Sequence, residues 1–533
     1  MNSLNALSQL TIAIIVLLCA SGSTSRISGL IISAPEEYEN LQLPRTFGSK
    51  PLSWLQGHLY RVGPGLLEHG PRSVTNVLDG LAKIHGWRFN GGNDVKYTGK
   101  MVRSEVYNRS MAEGRISAFS MMGKPEPLFD LWEHTMMVLG GVEYSDNTNI
   151  AVWDVDKGHS LTLTTESFNM HQVAPDTLTY NRPWKLPGAD EIPLFSAAHF
   201  SRHPTSGKSY NYVAKLKWKF WAPMEARFDF YEYSSSAGGQ ITDRKVGSIP
   251  TALDDIRIIH AFGITENYLV IPRWNYKFDF TFDMNMMKKL AYMCEAFKFE
   301  YNKPTYVDII NIRTGIRIQF VLPIQKGVHG MNSFERTNSQ GQLEIVMDFP
   351  TLTDPRAMDL NKHCLFDIFN IPILTDPNYL YENIPWDTTL RRFIFNMHTS
   401  AYIIEDFPQS WKPKDSAIEF PFINPSYNGR DYCYAYFQQW HFRTEDMDLM
   451  KYDLCTKKAI TWHKDNKHVS EPVFVPKPGG DAEDDGVIVA QVYDSATKKS
   501  ELCVWNAKNL ELIARYDNKV KVPYTVHGSW YDE

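Results

Sequence analysis

Short strand-like runs separated by turn signals recur from about residue 55 to the C-terminus, and they limit the fold more than any other feature. The runs show period-two alternation or enrichment in β-branched and aromatic residues, as in HLYRVGPG (58–65), SLTLTTESF (160–168), NYLVIPRW (267–274) and GVIVAQVYD (486–494). Such runs are typical of strands. Long helices do not alternate with them, which argues against a parallel α/β sheet. Many short antiparallel strands over this length predict an all-β protein of the propeller type.

Four histidines lie in short apolar settings bounded by Gly, Pro or Asn. They are His199 in FSAAHFSRHP, His260 in IRIIHAFGIT, His329 in GVHGMNSFE and His527 in VPYTVHG. Successive members are 61, 69 and 198 residues apart, which excludes a local zinc finger or a helical His pair. If the imidazoles meet, they converge from distant strands. Four neutral imidazoles suit iron, zinc or copper better than magnesium or calcium.

Three glutamates lie in equally apolar segments. They are Glu166 in LTLTTESF, Glu419 in AIEFPFINP and Glu471 in VSEPVFVP. A buried carboxylate is costly unless it is paired or hydrogen-bonded. A metal-bound imidazole needs an acceptor for its other ring N–H, and a carboxylate in that position fixes its tautomer. The seven residues therefore fit one metal site. For each Glu alone, a strand-end residue that caps a loop explains the sequence equally well, and a lone buried His is more often structural.

Length and charge restrict the other possibilities. The chain has 533 residues, but no Gly/Ser/Pro-rich linker or charge run divides it, so a single domain over residues 26–533 is expected. The formal net charge is −6 and the isoelectric point is near 6.3. Without a basic surface signature, no nucleic-acid partner is expected.

The first 25 residues look like a targeting segment. An apolar run of eleven residues, Leu10 to Ala20, is followed by the small residues SGSTS. Eleven residues are too few to cross a bilayer but suit a secretory signal, so residues 1–25 are interpreted as a signal peptide. No Lys or Arg precedes the run, so an uncleaved anchor or a mistaken start stays open. A cleaved signal predicts a secretory or extracellular protein, and an uncleaved one predicts a membrane-associated intracellular protein.

The cysteines and one glycosylation sequon add little information about the fold or the function. Cys19 would leave with the signal, and Cys294, Cys364, Cys433, Cys455 and Cys503 remain. Their odd number and spacing indicate neither a disulfide scaffold nor a metal site, and at least one thiol should be free. Asn108-Arg109-Ser110 is a glycosylation sequon.

Taken with these motifs, the chain resembles the carotenoid cleavage oxygenases, within the animal branch of β-carotene oxygenases and retinoid isomerohydrolase. The resemblance covers about residues 34–533. It rests on PLSWLQGHLYRVGPGLLEHG (51–70), LDGLAKIH (78–85), EDDGVIV (483–489), WNAKNLELIAR (505–515) and the segments around the four His and three Glu.

The resemblance implies a seven-bladed β-propeller with a helical and loop cap over an apolar tunnel. It also implies an iron(II) ion held by His199, His260, His329 and His527, with Glu166, Glu419 and Glu471 behind them. Dioxygen would be the co-substrate, and a carotenoid or apocarotenoid, drawn from a membrane surface, would be cleaved at a double bond to retinal-like aldehydes. Two alternatives remain open: a retinoid isomerohydrolase on the same scaffold, and a secreted carotenoid- or retinoid-binding propeller without catalysis.

Three positions depart from the family pattern. Gly327 and Gly330 occupy positions where relatives commonly carry an aromatic residue and a second His, which is expected to loosen the loop around His329. Lys83 occupies a position that is usually apolar. No ligand position is lost, so the site is predicted to be intact.

Overall fold

The computed structural model describes residues 25–49, 52–92, 94–138, 145–186, 191–219, 222–279, 286–353, 369–375, 387–408 and 416–532. The predicted signal segment lies outside the described residues except for Ser25. Cys19, Cys364 and residues 280–285 also lie outside them.

The prediction of a mostly β chain is confirmed, because antiparallel sheets follow one another along the described residues. One five-stranded sheet joins the two ends of the chain, in the order Tyr38–Leu43, Asp94–Met101, Leu81–Asn90, Gln56–Leu66, Gly528–Tyr531. The next has four strands, Tyr180–Lys185, Asn169–Val173, Leu161–Thr164, Ala151–Trp153. A third contains Ile192–Phe195, Ser209–Lys219, Ala222–Ser235, Ile241–Thr251, with Ser201–Arg202 paired to its second strand.

Two further four-stranded sheets cover the middle of the chain. The first is Gly263–Ile264, Tyr268–Arg273, Thr305–Asn311, Arg317–Leu322. The second is Asn332–Thr337, Leu343–Leu352, Thr388–Asn396, Tyr402–Asp406.

The largest sheet consists of two antiparallel groups joined by the strand Lys467–Val469. One group is Ser416–Phe422, Tyr434–His441, Asp446–Asp453, Lys458–Trp462. The other is Val473–Pro476, Gly486–Asp494, Lys499–Asn506, Leu512–Asp517, Arg45–Phe47. Two small hairpins complete the described strands, Tyr276–Phe278 with Phe297–Phe299 and Glu68–His69 with Arg72–Ser73.

The helices that the structure describes are short. They are Glu105–Glu113, Leu131–Val138, Met286–Ala291, Met293–Ala296 and Ile371–Thr375, with 3-10 turns at Ser28–Leu30, Val77–Asp79, Leu253–Asp255 and Pro425–Tyr427. In the described part of the chain, no helix has the length and hydropathy needed to cross a bilayer.

The strands differ in how much of their length is buried. Strands such as Leu161–Thr164 and Tyr268–Arg273 are almost wholly buried, whereas Tyr402–Asp406 and Lys458–Trp462 are largely exposed. The exposed strands carry charged residues, which discourage pairing with another chain. Glu166 follows the buried strand Leu161–Thr164 and Glu419 lies in the mostly buried strand Ser416–Phe422, so both carboxylates lie on the protected side of the sheets.

Two details concern residues noted in the sequence. Cys433 and Cys455 form a disulfide that ties the open ends of a hairpin, Cys294 is also disulfide-bonded, and Cys503 is a buried free thiol, as predicted for at least one cysteine. Lys83 is fully buried and its Nζ donates to the backbone carbonyls of Ala34 at 2.5 Å and Glu36 at 2.6 Å. Lys83 therefore fastens the N-terminal segment to the first sheet.

Candidate metal centre

The four predicted histidines converge on one point. His260 and His329 each lie three residues before the first strand of a sheet, His527 directly precedes the edge strand Gly528–Tyr531, and His199 lies just before Ser201–Arg202. Their ligand atoms lie within 4.8 Å of one another, although the residues come from distant parts of the sequence. The Nε2 atoms of His260 and His329 are only 3.1 Å apart.

Each of the three predicted glutamates contacts a different imidazole. The Nδ1–H of His329 donates to Glu419 at 2.8 Å, and that of His527 donates to Glu471 at 2.7 Å. The Nδ1–H of His260 donates to Glu166. A carboxylate on Nδ1 fixes the proton there and leaves the Nε2 lone pair facing the centre of the cluster.

The contacts of these three glutamates do not include the fourth imidazole, that of His199. The Nε2 atom of His199 is buried and has no hydrogen-bond partner among the residues that the structure describes. Burial, reinforced by His527, His260 and His329, lowers the pKa of His199 well below its ordinary value. Burial lowers the pKa of His527 in the same direction. Burial therefore favours the neutral form of His199 and His527.

This donor set fits a transition metal. Lone pairs 3.1 Å apart repel unless a cation lies between them, and a buried acceptor without a donor is costly. Imidazole nitrogen is a good ligand for iron, zinc and copper, whereas magnesium and calcium prefer oxygen. His199, His260, His329 and His527 could hold the ion, and their role as ligands remains a prediction.

Arg61 supports the site and was missed in the sequence. It is fully buried, and its Nη1 lies 3.7 Å from Glu471 and donates to the Glu471 backbone carbonyl at 3.0 Å. Its Nε donates to Thr525 at 2.7 Å, two residues before His527. Burial raises the pKa of Glu471 to about 7, and the Arg61 charge and the Gly528 N–H oppose this shift. The sequence signal, an Arg inside the apolar run LYRVGPG, is too common at strand edges to be diagnostic.

The two glycines near His329 are packed against aromatic rings. A Cβ atom on Gly330 would lie 2.7 Å from the Phe349 ring, and one on Gly327 would lie 2.9 Å from the Trp274 ring. Trp274 and Phe349 themselves pack edge to face. The structure therefore differs from the expected loose loop, because these rings occupy the space that a side chain at either position would need.

Two cavities border the site and share no lining residue. The large cavity, about 560 Å³, is lined by His199, His329 and His527 and by the stretches 151–154, 200–202, 261–264, 330–333, 420–423 and 528–532. The small cavity, about 70 Å³, is mainly apolar and includes Glu166, Phe195 and Phe278. Ile150 and Leu194 line the small cavity, whereas residues 151–154 and 199–202, which follow them in the chain, line the large cavity. The two cavities are therefore distinct, and three of the imidazoles border the large one.

Comparison with known proteins agrees with this arrangement. Residues 33–532 match the family described as RPE65, retinal pigment epithelial membrane protein. Among curated relatives, the chain is 25% identical to a β,β-carotene 15,15′-dioxygenase of Rattus norvegicus, with 92% of this chain and 89% of the relative covered. It is 26% identical to an apocarotenoid-15,15′-oxygenase of Synechocystis, with 89% and 90% covered.

Solved structures show the same fold. A cobalt-substituted Synechocystis ACO superposes with a TM-score of 0.75 at 22% identity, with 95% of this chain and 98% of that chain covered. A chimera of ACO and RPE65 gives the same TM-score, identity and coverage.

Proposed function

Because the chain belongs to the RPE65 and carotenoid cleavage oxygenase family, we propose that it is an iron(II)-dependent dioxygenase that cleaves a double bond of a carotenoid or apocarotenoid. The observation that carries the proposal is the intact cluster of four imidazoles, three of them held by glutamates. The curated relatives named above are oxygenases that act at a 15,15′ bond. The expected products are retinal-like aldehydes.

The donor set indicates which roles the metal and the protein residues would have. Iron(II) bound by four neutral ligands would supply the redox chemistry by which both atoms of dioxygen add across a C=C bond and give two C=O groups. Glu166, Glu419 and Glu471 hold the imidazoles in the metal-binding tautomer. No general base is needed, since no proton is removed from the polyene in the net reaction. The apolar residues around the site orient the polyene and exclude water.

The fold proposed for the chain is a seven-bladed β-propeller. The five smaller sheets and the two halves of the largest sheet would each form one blade. The pairing of Gly528–Tyr531 with Gln56–Leu66, and of Arg45–Phe47 with Leu512–Asp517, would close the ring. A closed ring brings one end of each inner strand to the axis, where the histidines would meet.

Product analysis tests the function. The iron-loaded protein is incubated in air with β-carotene, an apocarotenal and a retinyl ester in separate reactions. An aldehyde from either polyene supports the oxygenase. An isomerised retinol from the ester without aldehyde would instead identify an isomerohydrolase, and recovery of every compound unchanged but bound would identify a binding protein.

Substrate would come from a membrane surface through an exposed apolar patch. Leu128, Leu131 and Trp132 are 59%, 77% and 70% exposed. The helix Leu131–Val138 is fixed to the body by a buried bidentate ion pair in which Arg72 donates to Glu133 at 2.7 and 2.9 Å. Exposed apolar residues on a rigidly anchored helix are typical of an interaction surface.

Vesicle binding tests this part of the proposal. The Leu131→Ser/Trp132→Ser variant should bind phosphatidylcholine vesicles about tenfold more weakly or worse, because most of the exposed apolar area is removed. The matched control is Ile316→Ser/Ile403→Ser, which changes two other exposed apolar residues. Equal binding by both variants would exclude the patch as the membrane contact.

The protein is proposed to pass through the secretory pathway. The Cys433–Cys455 disulfide supports this, because disulfides persist in oxidising compartments. The sequon residue Asn108 is exposed on the helix Glu105–Glu113, where a glycan has room. Expression in animal cells should give a protein in the medium whose mass falls on glycosidase treatment, and the Asn108→Gln variant should lack that change. Retention of the unprocessed, unglycosylated chain inside the cell would contradict the proposal.

A further inference from the structure

Three of the four imidazoles border the large cavity, whereas none of the four borders the small one. The large cavity begins at His199, His329 and His527 and continues along the residues that follow them. Its farther walls include Asp154, Arg202 and the exposed Asp532. A species that enters there reaches the ligand atoms directly.

The two cavities differ in what they can admit. The large cavity has a volume of about 560 Å³, about eight times the 70 Å³ of the small cavity, so it leaves more room for an ion that keeps its water molecules. Stripping the waters before the imidazoles are reached would be very costly in an apolar space.

Two polar residues of the small cavity are already engaged, whereas the Oε2 atom of Glu166 has no hydrogen-bond partner among the described residues. Both carboxylate oxygens of Asp79 accept backbone N–H groups, from Met122 at 2.6 Å and from Gly123 at 2.8 Å. Asn147 accepts from the Ala82 N–H and donates to the Gly80 carbonyl. These groups cannot replace the waters of an incoming ion without losing their present bonds.

In the large cavity, polar groups lie along the way to the site. Arg202 donates to the Asp154 backbone carbonyl at 2.8 Å and lies over the Trp153 ring. Its guanidinium group therefore contacts the wall of the cavity. Asp154 and Asp532 supply two carboxylates beside this one cation. Their excess of negative charge favours entry of a cation.

We propose that the large cavity is the loading route for the metal ion, separate from the small apolar cavity, which none of the four imidazoles borders. The inference rests on the proposed function only in that the cluster binds a metal. It assigns Asp154, Ser529 and Asp532 to the passage of a hydrated divalent cation. Obstruction of this cavity should slow metal uptake and metal release by the same factor, since both pass through it, and leave the dissociation constant unchanged.

The test attaches a removable label to a single introduced cysteine, which lies in the large cavity in one variant of the full-length protein and in the small cavity in another. Ser529→Cys lines the large cavity, Ser145→Cys lines the small cavity, and Ser206→Cys lies on the surface as a control. Each variant is stripped of metal and treated with a bulky methanethiosulfonate reagent. Co²⁺ uptake is followed by its visible absorption, and release is followed after addition of excess chelator.

The label at Ser529→Cys should slow uptake and release together by about tenfold or more, and its reductive removal should restore both. The labels at Ser145→Cys and Ser206→Cys should change neither rate. Three results would overturn the proposal: unchanged rates with the Ser529→Cys label, slower uptake with the Ser145→Cys label, or failure of Ser529→Cys to react while Ser206→Cys reacts. A loss of affinity at unchanged release would also overturn it, because the label would then act on the ligands. No carotenoid is present, so these outcomes are independent of whether the enzyme cleaves one.

Discussion

Replacement of Glu471 by Gln should weaken metal binding more than the same replacement of Glu166, because the two carboxylates have different surroundings. One oxygen of Glu471 accepts the His527 Nδ1–H at 2.7 Å. The other accepts the Gly528 N–H at 2.8 Å and lies 3.7 Å from Arg61. The second oxygen of Glu166 is buried and has no hydrogen-bond partner among the described residues.

The size of the expected loss in metal affinity follows from the hydrogen-bond donors that an amide would face at either position. Loss of a carboxylate behind a metal-bound imidazole costs about 10–100-fold in metal affinity, and this is the loss expected for Glu166→Gln. In Glu471→Gln, an NH₂ group facing Gly528 and Arg61 would set donor against donor, at a cost of about 1–3 kcal/mol.

The opposite orientation of the amide in the Glu471→Gln variant does not restore metal binding. An NH₂ group facing His527 would move the imidazole proton to Nε2, which then cannot bind metal. The metal-free Glu471→Gln protein can adopt this orientation and avoid the clash, so the cost appears in metal affinity. An additional factor of roughly 5 to 150 is therefore expected beyond the loss at Glu166→Gln.

The assay is competition for Co²⁺ between the protein and a chelator of known affinity. Glu68→Gln is the matched control, because Glu68 is exposed and lines neither cavity at the site. The expected order of affinity is Glu68→Gln equal to wild type, then Glu166→Gln, then Glu471→Gln. Equal losses at Glu166→Gln and Glu471→Gln, or wild-type affinity in Glu471→Gln, would refute the reasoning.

Three further changes have expected outcomes. His260→Ala should abolish metal retention and turnover while the far-ultraviolet circular dichroism stays that of a β protein, and an active variant would exclude the four-His site. Burial lowers the pKa of Lys83 to about 8, so the unfolded chain binds more protons than the folded one between about pH 8 and 10.5. The free energy of unfolding should therefore gain about 3 kcal/mol over that window in wild type, an increment that Lys83→Met should lack in urea titrations. Cys433→Ser/Cys455→Ser should lower the free energy of unfolding by about 3 kcal/mol, since the crosslink spans 22 residues; unchanged stability would show that the disulfide contributes little.

The strand content and the site residues could be predicted because each has a local signature. Alternation of side chains marks a strand wherever it lies, and a Glu in an apolar run such as AIEFPF is costly enough to require a partner. The pairing of each Glu with one His could not be predicted. It depends on how the sheets are ordered in space, which brings Glu166 to His260 and Glu419 to His329 across 94 and 90 residues of sequence.

The remaining differences arise from packing between distant segments. Gly327 and Gly330 predict a loose loop only while their neighbours are unknown. Phe349 comes from the strand Leu343–Leu352, and Trp274 directly follows the strand Tyr268–Arg273. Arg61 looks like an ordinary strand residue until the C-terminal strand is placed beside it. Contacts of this kind have no periodic signal, so they become visible only in the folded chain.

The most direct test of the central claim is the fate of molecular oxygen. Iron-loaded protein is incubated with β-carotene under ¹⁸O₂, and the products are reduced at once to alcohols to prevent exchange with water before mass analysis. An iron-dependent dioxygenase predicts one ¹⁸O atom in each cleavage product, with no product under anaerobic conditions or in His260→Ala. Products formed without oxygen, or products whose oxygen comes only from water, would contradict the claim that this cluster of imidazoles supports dioxygen cleavage of a polyene.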